Sequence, residues 1–518
     1  IGVDVGGTNS DAVLMEGRQV LGWYKAATTR DIAYGVSEAI GGVIAGASVD
    51  PSNISRVAIG TTHFTNAFVQ RRGLLEVAVI RLASPSGHSV RPKTGWPRDL
   101  AAMVGEHLYL LPGGYEYDGR EISAFNAAEV RRVARDIAAK RLRAVAVSSP
   151  FAQVNNTMER KAAEIIRSEN PGIDITLSSD IGRMGLLERE NSAIMNASLA
   201  ELSRQVVGAF RNALRQLNIT APFYITQNDG TLMSAETVEK FPVYTFASGP
   251  TNSIRGAAFL SGLGEAVVVD IGGTTCDIGV LKNGFARESS IAVDIGGVRT
   301  NFRMPDILAL PLGGGTCIRS RDYQPDTITI GPDSVGHELS RQGLIFGGNT
   351  LTATDIAVAV NPSLLLGDRR LVASLPQPFV DDANRRIHQL CEEGIDRMKT
   401  SAGATPVILV GGGSLLINRE LVGTSQLIKP EYAAVANAIG AAIAQVGAEA
   451  EQVYAYQNIT RDKALAAVKE AAIAALEESG GCREGARIID IEETAINYLP
   501  GDVYRVRAKA ISELKERV

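Results

Sequence analysis

The sequence predicts a mixed α/β protein in two similar halves, each organised around a strand–glycine–strand hairpin, and three observations carry that reading. First, IGVDVGGTNSD at Ile1–Asp11 is a short β-branched apolar run that turns at Gly6–Gly7 and leads into a second apolar stretch. Second, AVVVDIGGTTCDIGVL at Ala266–Leu281 repeats it: Asp270, Gly272, Gly273, Thr274 and Asp277 copy Asp4, Gly6, Gly7, Thr8 and Asp11 at identical spacing. Third, strand-like and helix-like segments alternate over most of the chain, the pattern of α/β domains.

The bulk numbers bound this picture. A chain of 518 residues with 45% hydrophobic and 21% charged residues has room for two to four domains with large cores. A net charge of −5 without a dense Lys/Arg stripe argues against a nucleic-acid partner. No apolar run reaches membrane-spanning length and no charged-then-apolar leader opens the chain, so no membrane association is expected. The chain starts inside a strand without an initiator Met, and a few upstream residues are expected to be missing. Cys276, Cys317, Cys391 and Cys482 show no C-x-x-C spacing, which fits a reducing cytoplasm without disulfides or zinc.

In chain order, the first strand is followed by a hairpin (Ala12–Met15 and Val20–Ala26), a helix over Ala33–Ala45 and a strand at Ser55–Ile59. GTTHFTNAFVQRRG at Gly60–Gly73 reads as a loop opening a helix, and Leu75–Arg81 as a strand. Pro, Gly, Ser and Trp crowd Ala83–Pro97, predicting a loop-rich, mobile stretch. Helices are expected at Ala127–Arg141 and Met158–Glu169, strands at Ala144–Ser148 and Ile173–Leu177. A long amphipathic segment, Leu186–Leu217, is expected to mark the crossing between the halves. Further on, Phe223–Thr226 is a strand, Gln227–Ser234 a polar turn, and Ser248–Ala258 the start of a helix with Pro250 in its first turn. Gln377–Lys399 reads as a helix, Val407–Val410 as a strand ending in GGGS, and Tyr432–Val446 as an Ala-rich helix. The tail from about Glu451 changes texture, a helix to Glu478 and strands at Arg487–Ile491 and Val503–Ala510. The expected domains are therefore 1–178 with the first glycine loop, 179–448 with the second, and a small α/β unit, 449–518.

The hairpins carry the chemistry. Two glycines in a tight turn bare successive backbone N–H groups and let them approach a phosphate. Asp4 and Asp270 stand at the lips of the two turns, where a carboxylate can hold the water shell of Mg²⁺, with Asp11 and Asp277 as second carboxylates. The expected phosphate contacts are Gly6, Gly7, Thr8, Asn9, Gly272, Gly273, Thr274 and Thr275, joined by Gly313, Gly314 and Gly315. A third Asp-Ile-Gly-Gly at Ala292–Phe302 has Val298 in place of the Thr and no following Asp, and reads as a structural turn. No Walker sequence and no dinucleotide fingerprint occurs, and both of those lead from strand to helix rather than strand to strand. Paired glycine hairpins predict instead an actin/hexokinase-like (ribonuclease H-like) ATPase clamp with a small C-terminal appendage. Its late adenosine loop would be Gly411, Gly412, Gly413 and Ser414. The five histidines are isolated and no G-x-S-x-G elbow is present, so zinc and serine-hydrolase chemistry are not indicated. Cys276 is expected to be a buried small residue. Thr62, His63 and Asn66 form a polar cluster expected to line the cleft, and Asn228, Asp229 and Ser248 are further candidate substrate contacts.

These motifs, with ERENSAIMNASL (Glu188–Leu199), SGPTNSIRGAA and IGPDSVG (Ile330–Gly336), resemble the hydantoinase/oxoprolinase family, in its ATP-binding hydantoinase A type, over roughly Ile1–Val446. The resemblance implies ATP and Mg²⁺ as cofactors and phosphorylation of a carbonyl oxygen. The carbonyl belongs to a small cyclic amide such as a hydantoin or 5-oxoproline-like lactam, which ring opening then hydrolyses. Ketone carboxylation, small-molecule phosphorylation and ATP-dependent activation of a partner enzyme remain the alternatives. It also implies a hydantoinase B-type or other protein subunit and an oligomer. Three stretches depart from the family pattern: Leu308 stands where a His is usual, Gln227–Thr231 replaces a Gln-Ser-Asn-Gly-Gly turn, and His337–Gly348 is rewritten.

Overall fold

β1 (Gly2–Val5) has every residue buried because it runs through the middle of the largest sheet. The computed structural model describes residues 1–6, 9–27, 32–289, 293–302, 304–496 and 501–515. β1 pairs antiparallel with β2 (Asn9–Glu16), which continues into β3 (Gln19–Ala27), and parallel with β4 (Val57–Thr61). Helix Ile32–Ala47 covers these strands with Val36, Ala39, Ile40 and Val43, a buried stripe at helical spacing.

The chain then leaves to build a separate parallel sheet. β5 (Val77–Ser84), β6 (Leu108–Pro112), β7 (Ala144–Ser148) and β8 (Asp174–Leu177) lie in the spatial order β6–β5–β7–β8. β5 and β7 are buried throughout, as parallel strands covered on both faces are. Arg81 in β5 is also buried, its charge met by Glu190 at 2.8 and 2.5 Å, and Ser148 donates to the same carboxylate at 2.7 Å. The stretch expected to be mobile, Ala83–Pro97, is pinned: Arg81 donates to Gly87 O at 3.0 Å, and Trp96 Nε1 to Asn191 Oδ1 at 2.9 Å.

Leu186–Leu217 forms two helices, Leu186–Ser198 and Ala200–Gln216, and corrects one expectation. It returns to the first sheet, where β9 (Phe223–Thr226) pairs parallel with β4 and antiparallel with β10 (Leu232–Ser234). A returning helix pair is as amphipathic as a crossing one, so periodicity could not separate the two. The passage to the other half is instead helix Ser248–Ser261. It leads to β11 (Ala266–Ile271), β12 (Cys276–Lys282) and β13 (Phe285–Ala286). The third Asp-Ile-Gly-Gly copy is a separate two-stranded hairpin, β14 (Val293–Ile295) and β15 (Val298–Thr300), with Gly296 and Gly297 at its turn. β16 (Ile307–Leu310) pairs with β12, and β17 (Thr316–Arg319) with β18 (Thr329–Ser334). β19 (Thr405–Val410) and β20 (Thr424–Ile428) complete the order β13–β12–β11–β19–β20.

Helix Ala436–Ala442 brings the chain back to the first sheet. β21 (Val446–Ala455) pairs with β10, and β22 (Arg487–Ala495) and β23 (Val503–Ser512) extend it to nine strands, with helix Arg461–Glu478 packed on them. The expected boundaries at 178/179 and 448/449 thus do not follow the sheets: β9, β10 and the C-terminal appendage all belong to the first. The two crossing helices touch backbone to backbone. A Cβ at Gly256 would lie 1.9 Å from Ala436 O, and one at Gly440 1.9 Å from Asn252 O.

Candidate functional site

The repeated hairpins meet at one cavity of about 170 Å³. It is lined by Asp4, Gly6, Asn9 and Asp11 from the first hairpin, Asp270, Gly272 and Gly273 from the second, and Gly411 and Gly412 from the late glycine turn. The two hairpins are built alike. Asp4 stands opposite Asp11 in the β1–β2 register, and Asp270 opposite Asp277 in the β11–β12 register. Gly6 N donates to Asn9 O at 3.0 Å and Gly272 N to Thr275 O at 2.9 Å, so each turn is closed by the same bond. Gly7 and Thr8 lie outside the described residues. In the second turn the N–H groups of Gly273, Thr274 and Thr275 donate to nothing among the described residues, which leaves a concave run of donors suited to an anion.

The carboxylates are crowded and poorly solvated. Asp4 is 5% exposed, and its Oδ1 is buried with no hydrogen bond. Burial first, then the charge of Asp11, push its carboxyl up to about 7. Burial and the Asp270 charge do the same to Asp277, also to about 7, and burial raises Asp270. Helix Ala436–Ala442 supplies the counterweight: Asn437 Nδ2 donates to Asp4 Oδ2 at 2.9 Å and to Asp11 Oδ2 at 3.2 Å, while Lys25 pairs with Asp11 at 2.6 Å. Asn437 and Lys25 were missed by motif reading, because both act from outside the glycine turns, Asn437 from helix Ala436–Ala442 and Lys25 from β3.

Several expected contacts take different places. Gly314 N and Gly315 N donate to the carbonyls of Gly272 and Gly273 at 3.0 and 2.8 Å, so Gly313–Gly315 buttresses the second turn instead of offering it free donors. Gly413 and Ser414 are buried behind Gly411 and Gly412, with Ser414 N bonded to Gly411 O at 3.2 Å. Thr62 donates to Val5 O, which sets Thr62, His63 and Asn66 directly beside the first hairpin. His63 Nδ1 is 2.7 Å from Thr61 Oγ1, and burial lowers the ring to about 4, so it is neutral at physiological pH. Ser248 is fully buried and bonds inward to Thr61 O at 3.4 Å. Asn228 and Asp229 belong elsewhere: Asp229 is buried against Lys509 of β23 at 2.7 Å and accepts from Thr231, because the polar turn joins the sheet to its C-terminal extension. Leu308 packs in the second core opposite Ile278, away from the cavity lining. Cys276 is buried with a free thiol, as expected. Among the described residues no cluster of three or more His, Cys, Asp or Glu forms a metal cage, and no helix is long and apolar enough to cross a membrane.

Comparison with known proteins places this geometry. Residues 1–170 match the hydantoinase/oxoprolinase N-terminal region and residues 189–364 match hydantoinase/oxoprolinase. The acetophenone carboxylase gamma subunit of Aromatoleum aromaticum is 27% identical over 409 residues, covering 71% of this chain and 54% of that protein. The caprolactamase subunit alpha of Pseudomonas jessenii is 23% identical over 400 residues, covering 72% and 56%. The chain thus spans little more than half the length of these relatives. Among solved structures, the ATP-dependent caprolactamase of Pseudomonas jessenii superposes at a TM-score of 0.77 with 18% identity, covering 99% of this chain and 88% of that one. Nucleotide-free acetone carboxylase gives 0.70 with 18% identity, covering 99% and 87%. The chain thus shares the mixed α/β fold of these two structures, as the repeated hairpins and the alternating elements led one to expect.

Proposed function

Because the chain belongs to the hydantoinase/oxoprolinase family, we propose that it binds Mg-ATP between its hairpins and uses the γ-phosphate to activate the carbonyl oxygen of a small cyclic amide for ring opening. The observation that carries this reading is the convergence of two matched Gly-Gly turns and their facing carboxylates on one cavity. An amide resists hydrolysis through resonance, and phosphorylating its oxygen removes that protection. Phosphoryl transfer asks a protein chiefly for positioning and charge neutralisation.

The residues divide that work. N–H groups of Gly273, Thr274 and Thr275 receive phosphate oxygens, and Gly411–Gly412 borders the nucleoside side. Asp4 and Asp270 fit a hydrated Mg²⁺. The unbonded Asp4 Oδ1 and the raised carboxyls mark uncompensated negative charge, and Mg²⁺ ordinarily binds through one or two carboxylates plus waters and phosphates rather than an all-protein cage. When bound it would neutralise charge on the phosphates. Thr62 and neutral His63, bonded beside the first hairpin just outside the cavity lining, are candidates for orienting the carbonyl substrate. The carbonyl oxygen attacks the γ-phosphorus as the bond to the β-phosphate oxygen breaks and ADP leaves. Water then adds to the activated carbon, the ring C–N bond breaks as the nitrogen takes a proton, and a second water attacks the resulting acyl phosphate at carbon, releasing phosphate that carries the former carbonyl oxygen. A protein partner completes the reaction, in keeping with relatives that are subunits.

Ketone carboxylation is the second reading, favoured by the 27% identity to a carboxylase subunit. Carbonyl-¹⁸O-labelled lactams and ketones, incubated with ATP and with and without co-purifying protein, separate the two. Label in phosphate with ring-opened product is the expected result. Ring opening without label transfer or without ATP use overturns the mechanism, and label transfer from ketones alone selects the second reading.

A further inference from the structure

A second cavity, of about 1180 Å³, opens at the far ends of the two crossing helices. It takes residues from both halves, the starts of β1 and β4 and the β2–β3 turn on one side, the β12–β13 turn at Asn283–Gly284 on the other. Helix Ser248–Ser261 borders both, Ser253 on the hairpin cavity and Arg255, Ala258 and Phe259 on this one, and the two cavities share no lining residue. The two cavities are therefore distinct.

The charge in this second cavity is one-sided. Arg18, Arg56, Arg255 and Lys515 line it against one carboxylate, Glu513. Glu513 is already engaged, accepting from Gln445 at 2.7 Å and lying 3.8 Å from Arg56. Arg255 is 9% exposed, its guanidinium stacked 3.9 Å over Phe285 and one nitrogen donating to Gly284 O at 2.6 Å. Its Nε is buried and has no hydrogen-bond partner. Asp229 and Glu513 partly offset the burial of its charge, but both are shared: Asp229 pairs with Lys509 at 2.7 Å and Glu513 lies 3.8 Å from Arg56. Arg18 lies 4.4 Å over Phe259, so its fork is held by an aromatic face rather than by an acid.

A buried guanidinium with an unmet donor, flanked by two more arginines, is the arrangement that takes planar or tetrahedral oxyanions through forked, charge-assisted bonds. We infer that this cavity is a binding site for a small multivalent anion bearing phosphate or carboxylate groups, separate from the hairpin site. The reading does not depend on the reaction proposed above, because it needs neither nucleotide nor turnover.

Calorimetric titration of the full chain with pyrophosphate and with citrate, without nucleotide and at low salt, tests it and distinguishes the two anion chemistries. Gly272→Asp, which puts a carboxylate into the hairpin turn, is expected to leave affinity for the preferred anion unchanged. Arg18→Ser with Arg56→Ser is expected to weaken it roughly tenfold or more with an unchanged melting profile. Arg18→Ser alone, at an exposed turn, gives a smaller loss and keeps the test intact should the double variant misfold. Wild-type affinity in the arginine variants, loss in Gly272→Asp, or no saturable uptake of either anion at millimolar concentration overturns the proposal.

Discussion

Gly411 approaches Asp270 so closely that a Cβ added there would sit 2.2 Å from the carboxylate Oδ1. Its φ of +85° is also one that L side chains avoid. Gly411→Ala must therefore move either the late turn or Asp270. Strain and overpacking together predict a cost of about 2–4 kcal/mol and at least tenfold weaker nucleotide binding, read by thermal unfolding and calorimetry. Wild-type affinity in this variant would remove the late turn from the site.

Stability should depend on pH in the direction opposite to the common salt-bridged carboxylate. The folded values of Asp4 and Asp277 are raised to about 7 from an ordinary 3.8. Their contribution is thus fully present below the unfolded value, declines across the window between 3.8 and about 7, and is lost above it. Each group changes stability by up to about 1.4 kcal/mol per pH unit within that window. The nucleotide-free chain should melt at higher temperature near pH 5.5 than near pH 8, and Asp4→Asn should flatten part of the difference. A melting temperature that rises with pH across this range refutes the account.

Asp4→Asn and Asp270→Asn should each cut ATP turnover on the order of 10³-fold while leaving the circular dichroism spectrum unchanged. Asn mimics the neutral carboxyl that burial already favours at Asp4, so this variant is expected to gain stability near pH 8 as it loses activity. Near wild-type turnover in both variants would sink the assignment of the hairpins.

Mg-ATP should draw the halves together, since a ligand touching both hairpins gains contacts only when the cleft is shut. Small-angle scattering with a non-hydrolysable analogue is expected to show a smaller radius of gyration. An unchanged radius with binding independently established counts against a closing clamp.

Much of this site was legible in the sequence because its parts are local. Asp4 with Asp11, and Asp270 with Asp277, are set by hairpin register, and register follows from spacing in a two-stranded turn. What stayed hidden depends on distant packing. Asn437 reaches Asp4 across 433 residues of sequence, and no period or motif encodes such a contact. Gly314 and Gly315 look like free donors until the loop is seen folded against Gly272 and Gly273. Asp229 looked like a cleft residue because its partner, Lys509, comes from the C-terminal extension. The crossing was misplaced for a related reason: Leu186–Leu217 is amphipathic whichever sheet it serves.

The strand order of the larger sheet bears on synthesis. All strands of the second sheet fall in one continuous stretch, from Ala266 to Ile428, and a ribosome delivers them together. The first sheet begins at Gly2, yet its strand β10 gains its outer neighbour only when Val446 and the residues after it emerge. Until then a growing chain carries a finished second half and a first half with a bare strand edge, the feature that invites pairing with other chains. The half begun first is completed last.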